Sequence, residues 1–494
     1  MTPLQQQRLL YRPRVPDVLR ELRAVHCVQS QKRRAVDLAI ERLFPHTHAM
    51  PLARVGVASE PQPAHPLKAA HPLKVGVLFS GGPAPGGHNV LAALFDALQQ
   101  IDPRSTLLGF LDGPIGLINN KTKPLQREQL DAVRNLGGFD LIGSGRDKIE
   151  TTEQLAAAAA AMRASALDAL VVIGGDDSNT NAALLAEYFL AQTMKTRVVG
   201  IPKTIDGDLR GPEIEMSFGF DSACKTYAEL IGNLARDAVS SRKYYHFIKL
   251  MGRSASHIAL ECALATHPNV ALLGEEKRPL SIVVEELAEL VVRRAAQGKE
   301  YGVVLIPEGL IEFLPKESLP KNLLEHFGSL DAHGNVQLSQ VPTEKLIIEL
   351  VQKALQARKF TGKFATQEHF FGYEGRCCFP SNFDANYAAA LGRAAALAIR
   401  DGLTGVIVGI QGLRKPPEKW SVAFVPLVGL MHMEERSGKL KPVIRKALVD
   451  LSGPAFMQFA RQRKSWELDD SYQSPGPMQF FGEPALTDAG PMTL

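Results

Sequence analysis

At residues 167–177 the chain reads LDALVVIGGDD, an apolar run that leads into a glycine turn with two adjacent carboxylates. The run predicts a buried strand, and Asp176 and Asp177 follow at its carboxyl end. Open α/β sheets bind their ligands at this end of the strands. Neighbouring carboxylates repel each other and are costly to remove from water, so the pair favours a functional site. For a single aspartate, a structural turn that caps the next helix would be the preferred interpretation.

A second acidic turn, PKTIDGD at residues 202–208, follows the next apolar run at residues 197–201. Acidic turns on successive strands indicate a divalent cation and a phosphoryl group, because Mg²⁺ takes one or two carboxylates and completes its shell with water and phosphate oxygens. Asp176 is the better ligand candidate of its pair. Lys203 could neutralise charge on a transferring phosphoryl group, and Asp206 could accept the proton of an attacking hydroxyl. A local surface pair of Lys203 and Asp206 is the simpler alternative.

A glycine-rich turn, SGGPAPGGHN at residues 80–89, follows the apolar run at residues 74–79. Glycines let backbone N–H groups approach phosphate oxygens, and the following helix adds the positive end of its dipole. The glycine spacing is similar to that of a Walker A loop, but His88 and Asn89 replace the required lysine and hydroxyl residue, so a true P-loop is not expected. A tight strand-to-helix turn without a ligand is the alternative.

Three further segments contain residues typical of anion sites, namely GSGR at residues 143–146, MGR at 251–253 and GYEGR at 372–376. Arginine forks suit phosphate recognition, although any one of these arginines could equally form a surface ion pair. Glu308 lies at the end of an apolar run, where it could accept hydrogen bonds from sugar hydroxyls. His257 lies inside a predicted helix and is interpreted as a packed histidine.

Strands and helices alternate from residue 74 onward, which predicts an α/β fold with a parallel sheet covered on both faces. The predicted strands are 74–79, 167–173, 197–201, 246–250, 280–284, 301–306 and 405–409. The predicted helices are 18–44, 89–99, 151–162 with a capping box from Thr151 and Gln154, 179–191, 223–239, 255–266 and 388–401.

Length and composition allow two or three domains and exclude several classes of protein. The net charge of +4 is small for 494 residues and does not favour nucleic acid binding. The five cysteines show no disulfide or metal spacing, which is typical of a reducing compartment. Without a membrane-spanning apolar stretch or a signal-peptide core after Met1, we expect a soluble cytoplasmic protein that does not bind membranes.

Taken in order, the segments GGPAPGGHN, GSGR, GGDDSNTNA, PKTIDGD, KYYHFIKLMGR, PEG and GYEGR resemble the phosphofructokinase family. The resemblance is strongest to its pyrophosphate-dependent branch, in the long form that includes the catalytic β subunits of plants, and runs from about residue 74 to beyond residue 414. It implies reversible, Mg²⁺-dependent transfer of a phosphoryl group from pyrophosphate to O1 of fructose 6-phosphate. This step of glycolysis and gluconeogenesis yields fructose 1,6-bisphosphate and phosphate.

The resemblance also implies two Rossmann-like domains of three layers each, with parallel-rich sheets and the active site between them. We expect residues 74–212 and 385–414 in the first domain, on the side of the phosphoryl donor. Residues 213–384 and 415–494 would form the second domain, on the sugar phosphate side, with a helical insertion at about 314–365. Residues 1–73 would be an N-terminal helical extension.

The family motifs imply a role for each acidic-turn residue. Asp176 would hold Mg²⁺, Asp206 would be the general base on the 1-hydroxyl of the sugar, and Lys203 would stabilise the transition state. ATP-dependent bacterial members have glycine at the position of Asp177, where a carboxylate adds bulk and like charge against the α-phosphate of ATP. The match at Lys203 supports the same branch.

Other residues are implied to contact the substrates. Gly82 would bind pyrophosphate through its backbone, with Arg146 as a secondary phosphate contact. The sugar phosphate site would contain Thr204, Ile205, Met251, Gly252, Arg253, Glu308, Tyr373, Glu374, Gly375 and Arg376. Lys243 and Tyr244 would reach the neighbouring site across a homodimer interface. The alternatives are an ATP-dependent phosphofructokinase and a non-catalytic regulatory subunit that binds sugar phosphate.

Overall fold

The computed structural model describes residues 1–31, 34–57, 71–315, 341–436 and 438–494. Its strands form a nine-stranded sheet, a four-stranded sheet and a two-stranded hairpin. In chain order the strands are β1 (Val25–Gln29), β2 (Ala53–Val57), β3 (Lys74–Phe79), β4 (Thr106–Phe110), β5 (Thr122–Pro124), β6 (Ala169–Gly174), β7 (Arg197–Pro202), β8 (Tyr245–Leu250), β9 (Val270–Ala271), β10 (Gly302–Pro307), β11 (Thr366–Phe371), β12 (Val406–Gln411), β13 (Ser421–Pro426), β14 (Met431–Arg436) and β15 (Lys439–Ile444).

The described α-helices cover these sheets. They are α1 (Pro3–Leu10), α2 (Leu38–Leu43), α3 (Gly87–Ile101), α4 (Pro114–Ile118), α5 (Arg127–Asp131), α6 (Thr152–Ala164), α7 (Asp176–Ala191), α8 (Phe220–Ser241), α9 (His257–Thr266), α10 (Leu280–Ala295), α11 (Leu310–Phe313), α12 (Thr343–Ala357), α13 (Asn382–Arg400), α14 (Pro454–Trp466) and α15 (Pro484–Thr487). No helix in the described ranges combines the length and apolarity needed to cross a bilayer.

The nine-stranded sheet has the order β1-β2-β13-β12-β7-β6-β3-β4-β5. Its central strands β4, β3, β6, β7 and β12 are parallel, and β6 is buried along its whole length. Strands that are covered on both faces need an almost continuous apolar sequence, as the run at residues 167–173 has. The parallel arrangement brings the carboxyl ends of β3, β6 and β7, with the three turns that follow them, to one edge of the sheet.

The four-stranded sheet is parallel throughout and has the order β11-β8-β10-β9. The segments at 251–253, 308–309 and 372–376 follow β8, β10 and β11, so they also meet at one edge. The chain then returns to the large sheet through α13, which packs along α3, and β12. Gly392 permits that close packing, because a Cβ there would lie 2.5 Å from the carbonyl oxygen of Val90. These observations agree with the α/β architecture of two parallel-rich sheets that the sequence predicts.

The structure differs from the sequence-based prediction at the N-terminus. The helix predicted at residues 18–44 is wrong, because this stretch forms two 3₁₀ turns, β1 and the short helix α2. β2 pairs with both β1 and β13, so the segment extends the large sheet instead of forming a helical extension outside it. Arg8 of α1 is fully buried and donates to Asn382 Oδ1 at 2.7 Å, which ties the terminus to α13.

Other parts of the described chain also depart from the prediction. The strand predicted at residues 280–284 is the start of α10, whose buried side chains Leu280, Val283 and Leu287 recur at helical spacing. β13 pairs with β12 in the large sheet, although residues 415–494 were expected in the second domain. Residues 316–340 of the expected helical insertion lie outside the described ranges. Helix α7 starts at Asp176, three residues earlier than predicted, so the acidic pair occupies its first turn.

Candidate active site

A cleft of about 430 Å³ lies where the carboxyl edges of the two sheets face each other. Its walls include residues that follow β3, β6 and β7 on one side and residues that follow β8, β10 and β11 on the other. Of the residues predicted from the sequence, those lining the cleft are Gly82, Arg146, Asp176, Asp177, Lys203, Thr204, Ile205, Asp206, Met251, Arg253, Glu308, Tyr373 and Arg376. Segments as distant as residues 82 and 376 therefore contribute to one site.

The remaining predicted residues do not line this cleft. Gly252 and Glu374 support its wall, because Gly252 N donates to Glu308 Oε2 at 3.1 Å and Glu374 Oε2 accepts from Gly372 N at 2.8 Å. Gly375 is packed so closely that a Cβ would lie 2.4 Å from the hydroxyl of Tyr227. Lys243 and Tyr244 are exposed outside the cleft, just before β8, so a substrate contact from a neighbouring chain stays a prediction.

The turn after β3 is held in place by hydrogen bonds to its backbone. Gly81 N donates to Gly145 O at 2.8 Å, and Ser144 Oγ donates to Gly81 O at 2.6 Å. Gly81 has a φ of 87°, a conformation that glycine adopts readily. Lys203 Nζ donates to Gly82 O at 2.8 Å, so the loop after β7 is joined directly to this turn. The turn is therefore rigid and lies beside the ammonium group that the sequence predicts for phosphoryl transfer.

Asp176 has the features of a metal ligand. It lies in the first turn of α7, and its Oδ2 is buried without a hydrogen-bond partner among the described residues. Lys446 Nζ lies 3.7 Å from that oxygen, beyond hydrogen-bond distance. The described residues contain no cluster of three or more potential metal-ligating side chains, so a cation here would take most of its ligands from water and phosphate oxygens. Asp176 would hold a divalent cation, which would supply positive charge to a bound phosphate group.

Asp177 is bound differently from its neighbour. Its Oδ1 accepts a hydrogen bond from Arg436 Nη1 at 2.7 Å and lies 3.7 Å from Lys148 Nζ. Burial alone would raise the pKa of Asp177, but the Arg436 hydrogen bond and the nearby lysine charges outweigh it and lower the pKa. The carboxylate is therefore ionised at neutral pH, half exposed, and connected to the β14–β15 hairpin.

Lys203 and Asp206 face an environment that alters both of their proton affinities. Burial lowers the pKa of Lys203 to about 8, against the effect of Asp206, while Arg376 lowers it further. Burial raises the pKa of Asp206, and the charges of Arg253 and Lys203 act in the opposite direction. Asp206 is fixed in the loop by the hydrogen bond from its backbone N to Thr204 Oγ1 at 3.0 Å. A carboxyl with raised proton affinity beside a buried ammonium is suited to general base catalysis.

The opposite wall contains the groups suited to a sugar phosphate. The guanidinium of Arg376 lies 4.7 Å from the ring centre of Tyr373 and approaches Gly82, where a Cβ would be 3.3 Å from Arg376 Cζ. Burial raises the pKa of Glu308, and the hydrogen bond from Gly252 N opposes that shift. Arg253 is exposed to the cleft. Two arginines and one carboxylate can bind a phosphate and hydroxyl groups together.

The structure adds residues that sequence reasoning did not assign to the site. Burial and then the charges of Asp206 and Asp176 raise the pKa of Asp208 to about 7, and this residue lines the cleft. Asp208 belongs to the PKTIDGD segment, so its position was visible in the sequence even though its role was not. Lys148 and Lys446 also line the cleft, and Lys446 lies beyond the last recognisable motif, where no sequence pattern indicated it.

Known proteins resemble this chain in sequence and in fold. The family model described as Phosphofructokinase matches residues 74–399. A pyrophosphate–fructose 6-phosphate 1-phosphotransferase of Treponema pallidum (strain Nichols) is 47% identical over 99% of this chain and 96% of its own length. Subunit beta 2 of the enzyme of the same name from Arabidopsis thaliana is 47% identical over 90% of this chain and 85% of its own length.

Among solved structures, a pyrophosphate-dependent phosphofructokinase from Nitrosospira multiformis aligns with a TM-score of 0.61 over 86% of this chain and 98% of that chain. Its sequence identity of 17% makes this a likeness of fold alone. The fold, the ordered motifs and the full-length relatives therefore lead to one family.

Proposed function

Because this chain belongs to the phosphofructokinase family, we propose that it transfers a phosphoryl group reversibly from pyrophosphate to O1 of fructose 6-phosphate. The proposal is carried by one observation. Asp176, Lys203 and Asp206 line the same cleft, which also contains the glycine turn after β3 and the arginines of the sugar side. The high identity to relatives with this named activity, over nearly their whole length, supports it. An acceptor hydroxyl in such a cleft would face a base, an ammonium group and a metal ligand together.

The proposed mechanism assigns one task to each group. Asp206 accepts the proton of the 1-hydroxyl as O1 attacks phosphorus, and it returns that proton in the reverse direction. Lys203 provides positive charge where negative charge develops on the phosphoryl group. Mg²⁺, held through Asp176, would neutralise charge on the phosphate oxygens. Arg253, Arg376 and Glu308 orient the sugar phosphate.

Asp177 is proposed to decide the phosphoryl donor. Its ionised carboxylate lies at the start of α7, on the donor side of the cleft, where the α-phosphate of a nucleotide would meet like charge. This argues against the ATP-dependent alternative. The presence of all three reacting groups argues against a non-catalytic regulatory subunit.

A direct assay tests the proposal. Purified protein is incubated with fructose 6-phosphate and Mg²⁺, and with either pyrophosphate or ATP. We expect turnover with pyrophosphate only, loss of turnover on chelation of divalent cations, and recovery with Mg²⁺. Turnover with ATP alone would support the ATP-dependent alternative, and no turnover with either donor would support the regulatory one.

We also propose a cytoplasmic homodimer in which Lys243 and Tyr244 act on the neighbouring site. Both side chains are exposed beside β11, an edge strand with several exposed residues, which is a suitable surface for a second copy. Light scattering should give twice the mass of one chain. A monomer that is fully active would contradict the proposal.

The buried lysine leads to a pH prediction. Lys203 is charged below its pKa of about 8 and neutral above it, so kcat/KM for pyrophosphate should fall as pH rises through about 8. Since kcat/KM reports the free enzyme, it is the parameter to measure between about pH 6 and 10. In a Lys203→Arg variant, whose side chain stays charged, the decline near pH 8 should disappear. An unchanged decline in this variant would assign the titration to another group.

A further inference from the structure

The end of β15 and the residues that follow it are fastened to elements on both sides of the cleft. Ile444 N donates to Thr180 Oγ1 of α7 at 3.1 Å, on the donor side. Ala447 N donates to Asp208 O at 2.7 Å, in the acidic loop. His257 Nε2 donates to Ala447 O at 2.9 Å, and burial lowers the pKa of His257 to about 3, so the imidazole is neutral. Lys446 lies between these points, so the path of its backbone is fixed.

The side chain of Lys446 connects the two substrate sides of the cleft. Its Nζ donates to Ser254 Oγ at 2.7 Å, next to Arg253 on the sugar side. The same atom lies 3.7 Å from Asp176 Oδ2 on the donor side. The ammonium group lines the cleft and is about one third exposed, so an incoming anion can reach it. Its charge also lowers the proton affinities of Asp177, Asp206 and Asp208.

The cleft brings several carboxylates into the space that pyrophosphate would enter. Asp176, Asp177, Asp206 and Asp208 all line the cleft. Pyrophosphate brings further negative charge into the same space. Lys203 hydrogen bonds to the glycine turn and neutralises one side of the cleft, whereas Lys446 is the lysine located between the metal ligand and the sugar side.

The β14–β15 hairpin positions this lysine through ion pairs with the donor side. Arg436 of β14 binds Asp177, and Lys441 of β15 lies 2.7 Å from Glu150. Lys446 follows the end of β15 by two residues. Asp177 is thus also an attachment point for the segment that brings Lys446 to the cleft.

We propose that Lys446, held between Asp176 and Ser254, binds the phosphoryl group of pyrophosphate during its transfer. The proposal rests on the proposed function and adds a substrate contact from the segment after the β14–β15 hairpin, which the sequence motifs do not include. An ammonium fixed at this point stabilises negative charge as the phosphoryl group moves from donor to acceptor.

The test compares Lys446→Met and Lys446→Arg with Lys439→Met, a control on the exposed part of the same hairpin. Lys446→Met should lower kcat/KM for pyrophosphate about 100-fold. The kcat/KM for phosphate in the reverse reaction should fall by a similar factor. The KM for fructose 6-phosphate should stay within about threefold of that of the unmodified enzyme. Lys446→Arg keeps the charge and should stay within about tenfold of the unmodified enzyme. Lys439→Met should be unchanged.

Binding is measured separately by calorimetric titration with pyrophosphate and Mg²⁺, after thermal unfolding has shown that the variants are folded. Lys446→Met should weaken binding at least about tenfold. Should this variant not fold, Ser254→Ala, which removes the acceptor of the Lys446 hydrogen bond, should weaken pyrophosphate binding in the same direction. Unchanged pyrophosphate binding and kcat/KM, or an equal loss of fructose 6-phosphate affinity, would overturn the proposal.

The same experiment separates this inference from the proposed function. If the unmodified protein binds pyrophosphate but has no turnover with it, the proposed reaction fails, and the binding data still decide the role of Lys446. If the unmodified protein turns over pyrophosphate and Lys446→Met is equally active, the inference fails and the reaction stands.

Discussion

An Asp206→Ala variant is expected to lose about 10²- to 10⁴-fold in kcat and to keep its affinity for fructose 6-phosphate. Asp206 lines the cleft, and burial raises its proton affinity while Arg253 and Lys203 act against that rise. The removed carboxyl is the group proposed to take the proton of the 1-hydroxyl, whereas the phosphate of the sugar is proposed to bind on the opposite wall. Initial rates give kcat, and calorimetric titration with fructose 6-phosphate gives the affinity.

Asp208 provides a matched control for this experiment. It is buried two residues away, and its pKa of about 7 makes it a second candidate for the base. Asp206→Asn and Asp208→Asn each remove one carboxylate with little change of shape. We expect the first to abolish most turnover and the second to reduce kcat by less than about tenfold. A larger loss in Asp208→Asn than in Asp206→Asn would assign the base to Asp208.

A double variant, Asp177→Gly with Lys203→Gly, is expected to accept ATP and to lose most turnover with pyrophosphate. A pair of like charges about 4 Å apart costs roughly 4 kcal/mol at an effective dielectric of 20. Asp177 has 49% of its side chain exposed and is paired with Arg436, so only a fraction of that repulsion remains. A remaining 1.4–3 kcal/mol or so corresponds to about a 10- to 100-fold gain in kcat/KM for ATP.

Arg436→Gln tests whether the hairpin or the carboxylate excludes ATP. It removes the partner of Asp177 and leaves the negative charge in place, so ATP should remain excluded. Kinetics with both donors measure the outcome, and Lys439→Met again serves as the control. If Arg436→Gln admits ATP while the double variant does not, the hairpin rather than Asp177 closes the nucleotide space.

Much of the fold and most of the cleft could be predicted from local sequence. The strands ending at Phe79, Gly174 and Pro202 are short apolar runs followed by glycine or proline turns, and parallel packing brings such ends together. Asp176, Lys203 and Asp206 were identified because the chemistry of phosphoryl transfer requires their residue types in those turns.

Local patterns failed where distant partners determine the structure. Residues 18–44 have the apolar spacing of a helix, but β1 within this stretch pairs with β2, and β2 pairs with β13, which lies more than 360 residues further along the chain. The β-branched residues at 280–284 favour a strand, but their buried face recurs at helical spacing in α10. In the first case pairing with distant strands overrides the local preference, and in the second the helical spacing that continues to Ala295 outweighs the strand preference of five residues.

The sequence by itself therefore determined which residue types occupy the acidic turns and that each turn follows an apolar strand. Only the tertiary structure decided that Arg436 binds Asp177 and that Lys446 lies between Asp176 and Ser254. These contacts join segments about 190 to 270 residues apart, and their energy depends on distance in space, which local periodicity does not encode.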